Sequence, residues 1–485
     1  SPTFKDIKEY YDSNLHPDVI DLEDQEIYKN IFQKGKWAGV FQFTEGGAQS
    51  LCKMVKPTNI IDISAITSIY RPGPLGAGVD KDFVKTRKSP GIVRYINDMH
   101  REVTEETNGF LIFQEQIAML AHKLGKDISL DEGNMLRKVL TKKGTGKEAK
   151  VKRALHGKFV QGCSEKNIKR ETAERLWETF EYFSGYGFNK SHAVSYSMLS
   201  YQCAWLLNYY PSEWMAAFLD KEPETRKEKA LSTAKSFGFQ IEPVNINTSG
   251  RVWEISPDGK TLIQPLSSVK GLGDAAIDQI LHNRPFETIE DFLFNENIVY
   301  SKLNKKCLDV LVRCEALDGF IDNRFTGRKH FWSAIAVDRP RNRKKFGENI
   351  ETYAPEGSFT TEQEIQNIVS LTGRFPFERI MSQDIIDGLM RNRIPPISEF
   401  DKDLQACWAI PRSVKRKKTK AGKDYFEVEV TDNNSVMTRV RCWGVNPSKG
   451  DNIILNAPYL IKPDHSPEWG FSTRGKISTY WKLLA

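Results

Sequence analysis

Between residues 105 and 220 apolar side chains recur every three to four positions, the spacing of helices that bury one face. Ile117, Leu120, Ala121 and Leu124 form one such stripe, and Gly125 follows it at a C-terminal cap position. Ser129 and Glu132 open the next helix as a capping box, each side chain satisfying an amide that a helix start leaves free, and the helix continues through MLRKVLTKK. Ala173, Leu176, Trp177 and Phe180 make a further stripe, and residues 191–210 another helix, stopped by Pro211. The pattern predicts a large helical domain over residues 1–220, shorter helices over 221–325, and an aperiodic connector over 326–402. It then changes to alternation, in YFEVEV at 425–430 and TRVRCW at 438–443, the period of half-buried strands. A small β-barrel of OB type is expected over residues 403–485, which makes the fold mostly α and multidomain.

Composition narrows this without redirecting it. At 485 residues the chain exceeds the roughly 100–200 that one core needs. With 39% hydrophobic and 27% charged residues and a mean hydropathy of −0.49, it falls among globular sequences and outside disordered ones. Seven scattered cysteines form no CxxC pair and no zinc-like spacing with histidine, which predicts a reducing, cytoplasmic setting. No apolar run approaches the roughly 20 residues of a membrane span, and no signal peptide is evident, so no membrane partner is expected. The net charge of +7 is modest, but the basic residues gather in short segments, which points to a polyanionic partner.

Five segments carry candidate chemistry. Tyr70-Arg71-Pro72-Gly73-Pro74-Leu75, followed by Gly76 and Gly78, fixes a turn that holds Arg71 in place, although a purely structural loop explains the same composition. Arg137 and Lys138 sit on a helix whose Leu136, Val139 and Leu140 face the core, with Lys142, Lys143 and Lys147 downstream. Such a flank suits a triphosphate, because arginine grips phosphate oxygens as a fork and lysine adds a mobile charge; a solvated helix end favoured by the helix dipole fits equally well. The GTGKE segment lacks the glycine spacing and the Ser/Thr of a P-loop. The glycine-bracketed turn at 185–192 leads into a helix start, where Asn189, Lys190, Ser191 and His192 offer a phosphate or sugar site against a simple capping role. Lys270, Gly271 and Gly273 in VKGLGDAAI fit a helix-hairpin-helix, whose backbone binds DNA phosphates without reading sequence. Lys415, Arg416, Lys417 and Lys418 form a basic hairpin in the β region, with Trp408, Tyr425, Phe426 and Trp443 as stacking or core aromatics. RPRNRKK at 339–345 reads as a solvated linker.

The ordered series GVFQFTEGGAQ (39–49), YRPGPL (70–75), IFQEQ (112–116), MLRK (135–138) and GYGFNKSHAVSY (185–196) resembles the fingers of bacterial C-family replicative DNA polymerases, the DNA polymerase III alpha subunits. The likeness continues through PSEWMAAFL, the helix-hairpin-helix, SLTGRFPFERI (370–380) and the OB-like end. It implies a helical fingers domain in which Arg137 and Lys138 lie against the triphosphate of an incoming deoxynucleotide. Arg71, Asn189, Lys190 and His192 are implied near nucleotide and template, and primer-template DNA is the implied partner, in a bacterial cell or a phage-infected host.

The family places catalytic aspartates in a palm upstream of these motifs, to hold Mg2+. Neither palm pattern is present, and Asp18, Asp21 and Asp24 match the connector that follows the palm. The expectation is that no catalytic or metal-binding residue lies in this chain and that a separate N-terminal palm polypeptide completes the enzyme. No Gln-containing motif for a sliding clamp is seen. The competing reading is a non-enzymatic protein that binds single strands or DNA structures and retains relic fingers.

Overall fold

The computed structural model describes residues 16–44, 46–71, 74–75, 78–140, 146–184, 187–401, 404–419, 421–433, 437–445, 452–466 and 470–484. The chain divides into two compact units, residues 2–214 and residues 215–485.

The first unit is helical: Gly46–Val55 (α1), Ile60–Ile69 (α2), Val79–Lys88 (α3), Asp98–Thr104 (α4), Gln114–Leu124 (α5), Leu130–Leu140 (α6), Lys147–Glu165 (α7), Arg170–Ser184 (α8) and Lys190–Tyr209 (α9). The predicted stripes meet in one core, where Leu120, Leu124, Leu136, Phe159, Trp177 and Phe180 pack together. The Ser129–Glu132 capping box forms in both directions, at 2.9 and 3.1 Å. Lys158 of α7 also reaches Glu132, at 2.7 Å, and together they hold that carboxyl below the usual carboxylate range. Gly125 does follow α5, but its backbone is extended rather than left-handed. Its need for glycine is steric, since a Cβ there lies 2.4 Å from Ile128 Cδ1 and 2.6 Å from the Ala121 carbonyl oxygen. Pro211 ends α9 and opens the next helix, Pro211–Lys221 (α10), at the first position, where its missing N–H costs nothing.

Glycine also sets how closely the helices of this unit approach. A Cβ on Gly133 lies 2.5 Å from the carbonyl oxygen of Ala118, so α6 rests directly on the α5 backbone. A valine at that position has no void to enter. We expect Gly133→Val to cost about 1–3 kcal/mol, read as a fall in the thermal unfolding midpoint, and an unchanged midpoint would show that the helices do not touch there.

The second unit begins with Lys227–Ser236 (α11) and a three-stranded sheet of order β1-β3-β2 (Gln240–Glu242, Glu254–Ile255 and Thr261–Ile263 for β1 to β3), in which β1 and β3 run parallel. Asp274–Asn283 (α12), Ile289–Leu293 (α13) and Lys305–Arg313 (α14) follow. The stretch expected to be an aperiodic connector instead folds into Arg328–Trp332 (α15), Arg343–Tyr353 (α16), Thr361–Thr372 (α17) and Gln383–Arg391 (α18). Phe331, Ile335, Phe346 and Leu371 enter the same core as Leu272, Ile277 and Leu308. The helical period is hidden there because the helices are short and charged residues hold them as well: Arg328, nearly buried, pairs with Glu364 at 2.6 Å and Glu315 at 3.2 Å. RPRNRKK is solvated only in part: residues 341–344 are exposed and lead into α16, but Arg339 is buried with its guanidinium 3.8 Å from the centre of the Tyr300 ring.

The chain ends in a seven-stranded curled sheet of order β10-β7-β4-β5-β6-β9-β8, an OB-like arrangement. Its strands are Cys407–Lys418 (β4), Asp424–Thr431 (β5), Thr438–Trp443 (β6), Tyr459–Ile461 (β7), Asp464–Ser466 (β8), Gly470–Arg474 (β9) and Trp481–Leu483 (β10). A register shift between Pro411 and Ser413 bends β4, so that one half pairs with β7 and the other with β5. Val428, Val430, Val440 and Cys442 fill the interior, the inward half of the alternation in the sequence. The cysteines are free thiols, and burial pushes Cys163 up to about 11 and Cys314 and Cys407 to about 12. Among the described residues no helix is long and apolar enough to cross a membrane.

Candidate functional site

In the first unit the turn between α8 and α9 is bound to the strand-like segment before α5. The Phe188 amide donates to the Ile112 carbonyl at 3.2 Å, and the Gln114 amide returns a bond to Phe188 at 2.9 Å. Gln116 stiffens that segment from within: its buried side chain accepts from the Ile112 and Phe113 amides and donates to the Val103 carbonyl and Thr107 Oγ1. Gly187 must be glycine, since a Cβ lies 2.9 Å from both Gln114 Cγ and Phe183 Cε1. Asn189 then caps α9, its Oδ1 accepting from the His192 amide at 2.9 Å and from Ser191 Oγ at 2.7 Å.

Glu115 lies at the centre of this arrangement. Its Oε1 accepts from Asn189 Nδ2 at 2.8 Å and from Arg137 Nη1 at 3.2 Å, and its Oε2 accepts from the Lys190 amide at 2.8 Å. Lys190 Nζ donates to both oxygens of Glu106, at 2.7 and 2.8 Å. Beside these pairs runs an aromatic ladder. The Arg71 guanidinium lies 4.7 Å over the Phe188 ring, which meets His192 at 5.3 Å; His192 meets Tyr196 at 4.4 Å, and Tyr196 stacks on Phe41 at 5.4 Å. The steps at 188, 192 and 196 are one helical turn apart, and Arg71, His192 and Tyr196 are exposed.

The fold thus brings Arg71, Arg137, Asn189, Lys190 and His192 into one neighbourhood from three distant segments, with Lys138 exposed on α6 beside Arg137. Lys142 and Lys143 fall outside the described residues, as does the side chain of Lys147, whose backbone opens α7. The α9 terminus is less open than its sequence suggests, because the Lys190 and His192 amides are spent on Glu115 and Asn189. Glu115 and Glu106 were missed as site residues. Glu115 is legible in IFQEQ only as a favourable first-turn acid, since its partners lie far away in the chain.

In the second unit Lys270, Gly271 and Gly273 form the turn before α12. Gly271 has φ +92°, a conformation glycine adopts readily, and a Cβ on Gly273 meets nothing within 4 Å. The Lys270 amide is committed to the Leu371 carbonyl at 2.8 Å, whereas among the described residues no backbone carbonyl takes the Gly271 or Gly273 amide. The basic hairpin is largely neutralised along its own ladder: Lys415 pairs with Glu429 at 3.6 Å, Arg416 with Asp424 at 3.0 Å and Lys417 with Glu427 at 2.7 Å, while Lys418 is exposed. Trp408 is core, but Trp443 stacks on Tyr425 at 4.8 Å and borders a cavity of about 700 Å³ lined also by Lys423, Arg441, His465 and Arg474. Sequence alone did not single out Arg441, His465 and Arg474, because three separate strands contribute them.

Residues 1–167 match the bacterial DNA polymerase III alpha subunit finger domain, and residues 238–326 match a helix-hairpin-helix motif family. The chain is 32% identical over 381 residues to the DNA polymerase III subunit alpha of Campylobacter jejuni, covering 76% of this chain. It is 31% identical over 431 residues to that of Aquifex aeolicus, covering 87%. The chain belongs to the DNA polymerase III alpha family. It spans 31% and 36% of the length of those two relatives, and 26% of the Thermus aquaticus subunit, to which it is 33% identical. Among the described residues no three His, Cys, Asp or Glu side chains converge to hold a metal. Asp21 and Asp24 instead cap the turns at the Glu23 and Glu26 amides, at 2.9 and 3.0 Å.

Proposed function

We propose that this chain is the part of a replicative DNA-directed DNA polymerase that receives the incoming deoxynucleoside triphosphate and the primer-template. Arg137 and Lys138 take the triphosphate, with Arg71, Asn189, Lys190 and His192 lining the approach. Phosphate binding falls to the guanidinium fork of Arg137 and the point charge of Lys138, which hold the substrate while chemistry proceeds elsewhere. Exposed His192 and Tyr196 offer rings to the base or sugar. The Mg2+-holding aspartates come from a palm polypeptide outside these 485 residues. DNA runs along the helix-hairpin-helix turn at Lys270, Gly271 and Gly273, while Lys415 to Lys418 and the cavity beside Trp443 take a single strand by charge and stacking.

The observation that carries this reading is the gathering of five cationic or polar side chains from three segments around Glu115 and Phe188. The test is thermal protection by a deoxynucleoside triphosphate in the presence of primed DNA and the palm polypeptide, alongside primer extension. Protection together with palm-dependent extension is expected. Stabilisation by DNA alone, with no response to nucleotide and no extension, would favour the non-enzymatic DNA-binding reading.

A further inference from the structure

We propose that Glu115 is a positioning residue for nucleotide binding, one that aims Arg137 and braces the Asn189–Lys190 turn without touching the substrate; the inference rests on the function proposed above. An arginine on a flexible stem loses on the order of 2 kcal/mol of rotamer freedom when it is fixed on a ligand, unless something has already fixed it. Glu115 does so here, engaging the guanidinium through Nη1 alone at 3.2 Å and leaving the rest of the fork for phosphate oxygens. The anchor is itself rigid. Glu115 stands in the first turn of α5, where the helix dipole favours a carboxylate, and the segment before it is bonded on both sides to Phe188.

A carboxylate beside a phosphate site has a second reading, that of a latch which the substrate must displace. The geometry favours positioning. Displacing Glu115 forfeits its bonds to Asn189 Nδ2 and to the Lys190 amide, at 2.8 Å each, as well as the one to Arg137, and so loosens the start of α9 just where the exposed His192 and Tyr196 project. Sharing the guanidinium breaks none of these. The one side chain therefore sets the spacing of α5, α6 and α9, and with it the distance between the cation and the aromatic ladder.

The test is a double-mutant cycle in primer extension by the assembled polymerase, titrating dATP on primed DNA. Glu115→Gln, which leaves one acceptor oxygen for three donors, is expected to raise the dATP KM by about tenfold with a smaller change in kcat and only a small fall in the unfolding midpoint, and to add little on top of Arg137→Ala. Glu115→Asp, which keeps the charge but sets it one methylene back, is expected to raise KM as well, so that position is read separately from charge. Fully additive losses in the cycle overturn the inference while leaving Arg137 as the phosphate ligand. A lower KM for Glu115→Gln overturns it in favour of the latch. An Arg137→Ala variant with unaltered KM and kcat removes the underlying function instead, so the two failures are distinguishable.

Discussion

Replacing Arg137 by Ala is expected to reduce kcat/KM for deoxynucleotide by about 5- to 150-fold, the equivalent of roughly 1–3 kcal/mol of charge-assisted hydrogen bonding. Arg137 lies on the flank of α6, two turns after the capping box that fixes where the helix begins, and is partly exposed beside the turn that carries His192. Its Glu115 contact leaves most of its donors unspent. Arg137→Lys keeps the charge but loses the planar fork, so an intermediate loss is expected. The measurement is steady-state primer extension with the palm polypeptide present, in which KM and kcat are separated. If both stay at their wild-type values in Arg137→Ala, the residue does not hold the triphosphate.

Replacing Phe159 by Ala is expected to cost about 3–5 kcal/mol of stability in the first unit, a fall in its unfolding midpoint on the order of 10 °C. Phe159 is fully buried in α7, and its ring meets Trp177 at 5.5 Å and Phe180 at 5.3 Å. Truncation removes a large apolar side chain and opens a cavity between α7 and α8. The surrounding backbone has little room to collapse into it, because a Cβ on Gly162, in the same helix, already lies 2.2 Å from the backbone at Gly125 and Lys126. Thermal unfolding followed by tryptophan fluorescence or by near-ultraviolet circular dichroism reads the effect, and a loss under about 1 kcal/mol would show that the core repacks.

The cations were readable because each stands in a local pattern: Arg137 and Lys138 on a striped helix, Asn189 to His192 at a helix start. Their counter-ions were not. Glu115 lies 22, 74 and 75 positions from Arg137, Asn189 and Lys190, and Glu106 lies 84 from Lys190. No periodicity spans such separations. The basic hairpin shows the same limit from the other side: its four cations are consecutive in the sequence, but the acids of β5 set against three of them, Glu429, Asp424 and Glu427, are not legible there.

What the sequence by itself determined are the features carried by neighbouring residues: the apolar stripes of α5 and α8, the capping box that starts α6, the alternation of β5 and β6, and the order of motifs that marks the family. Such features depend on helix and strand periods and on hydrogen bonds reaching a few positions along the chain, so contiguous residues suffice to encode them. Tertiary structure alone decided which charges are neutralised, which aromatics stack, and how residues 326–402 fold. Those outcomes rest on contacts between segments tens of residues apart, and burial and electrostatics respond to distance in space rather than along the chain.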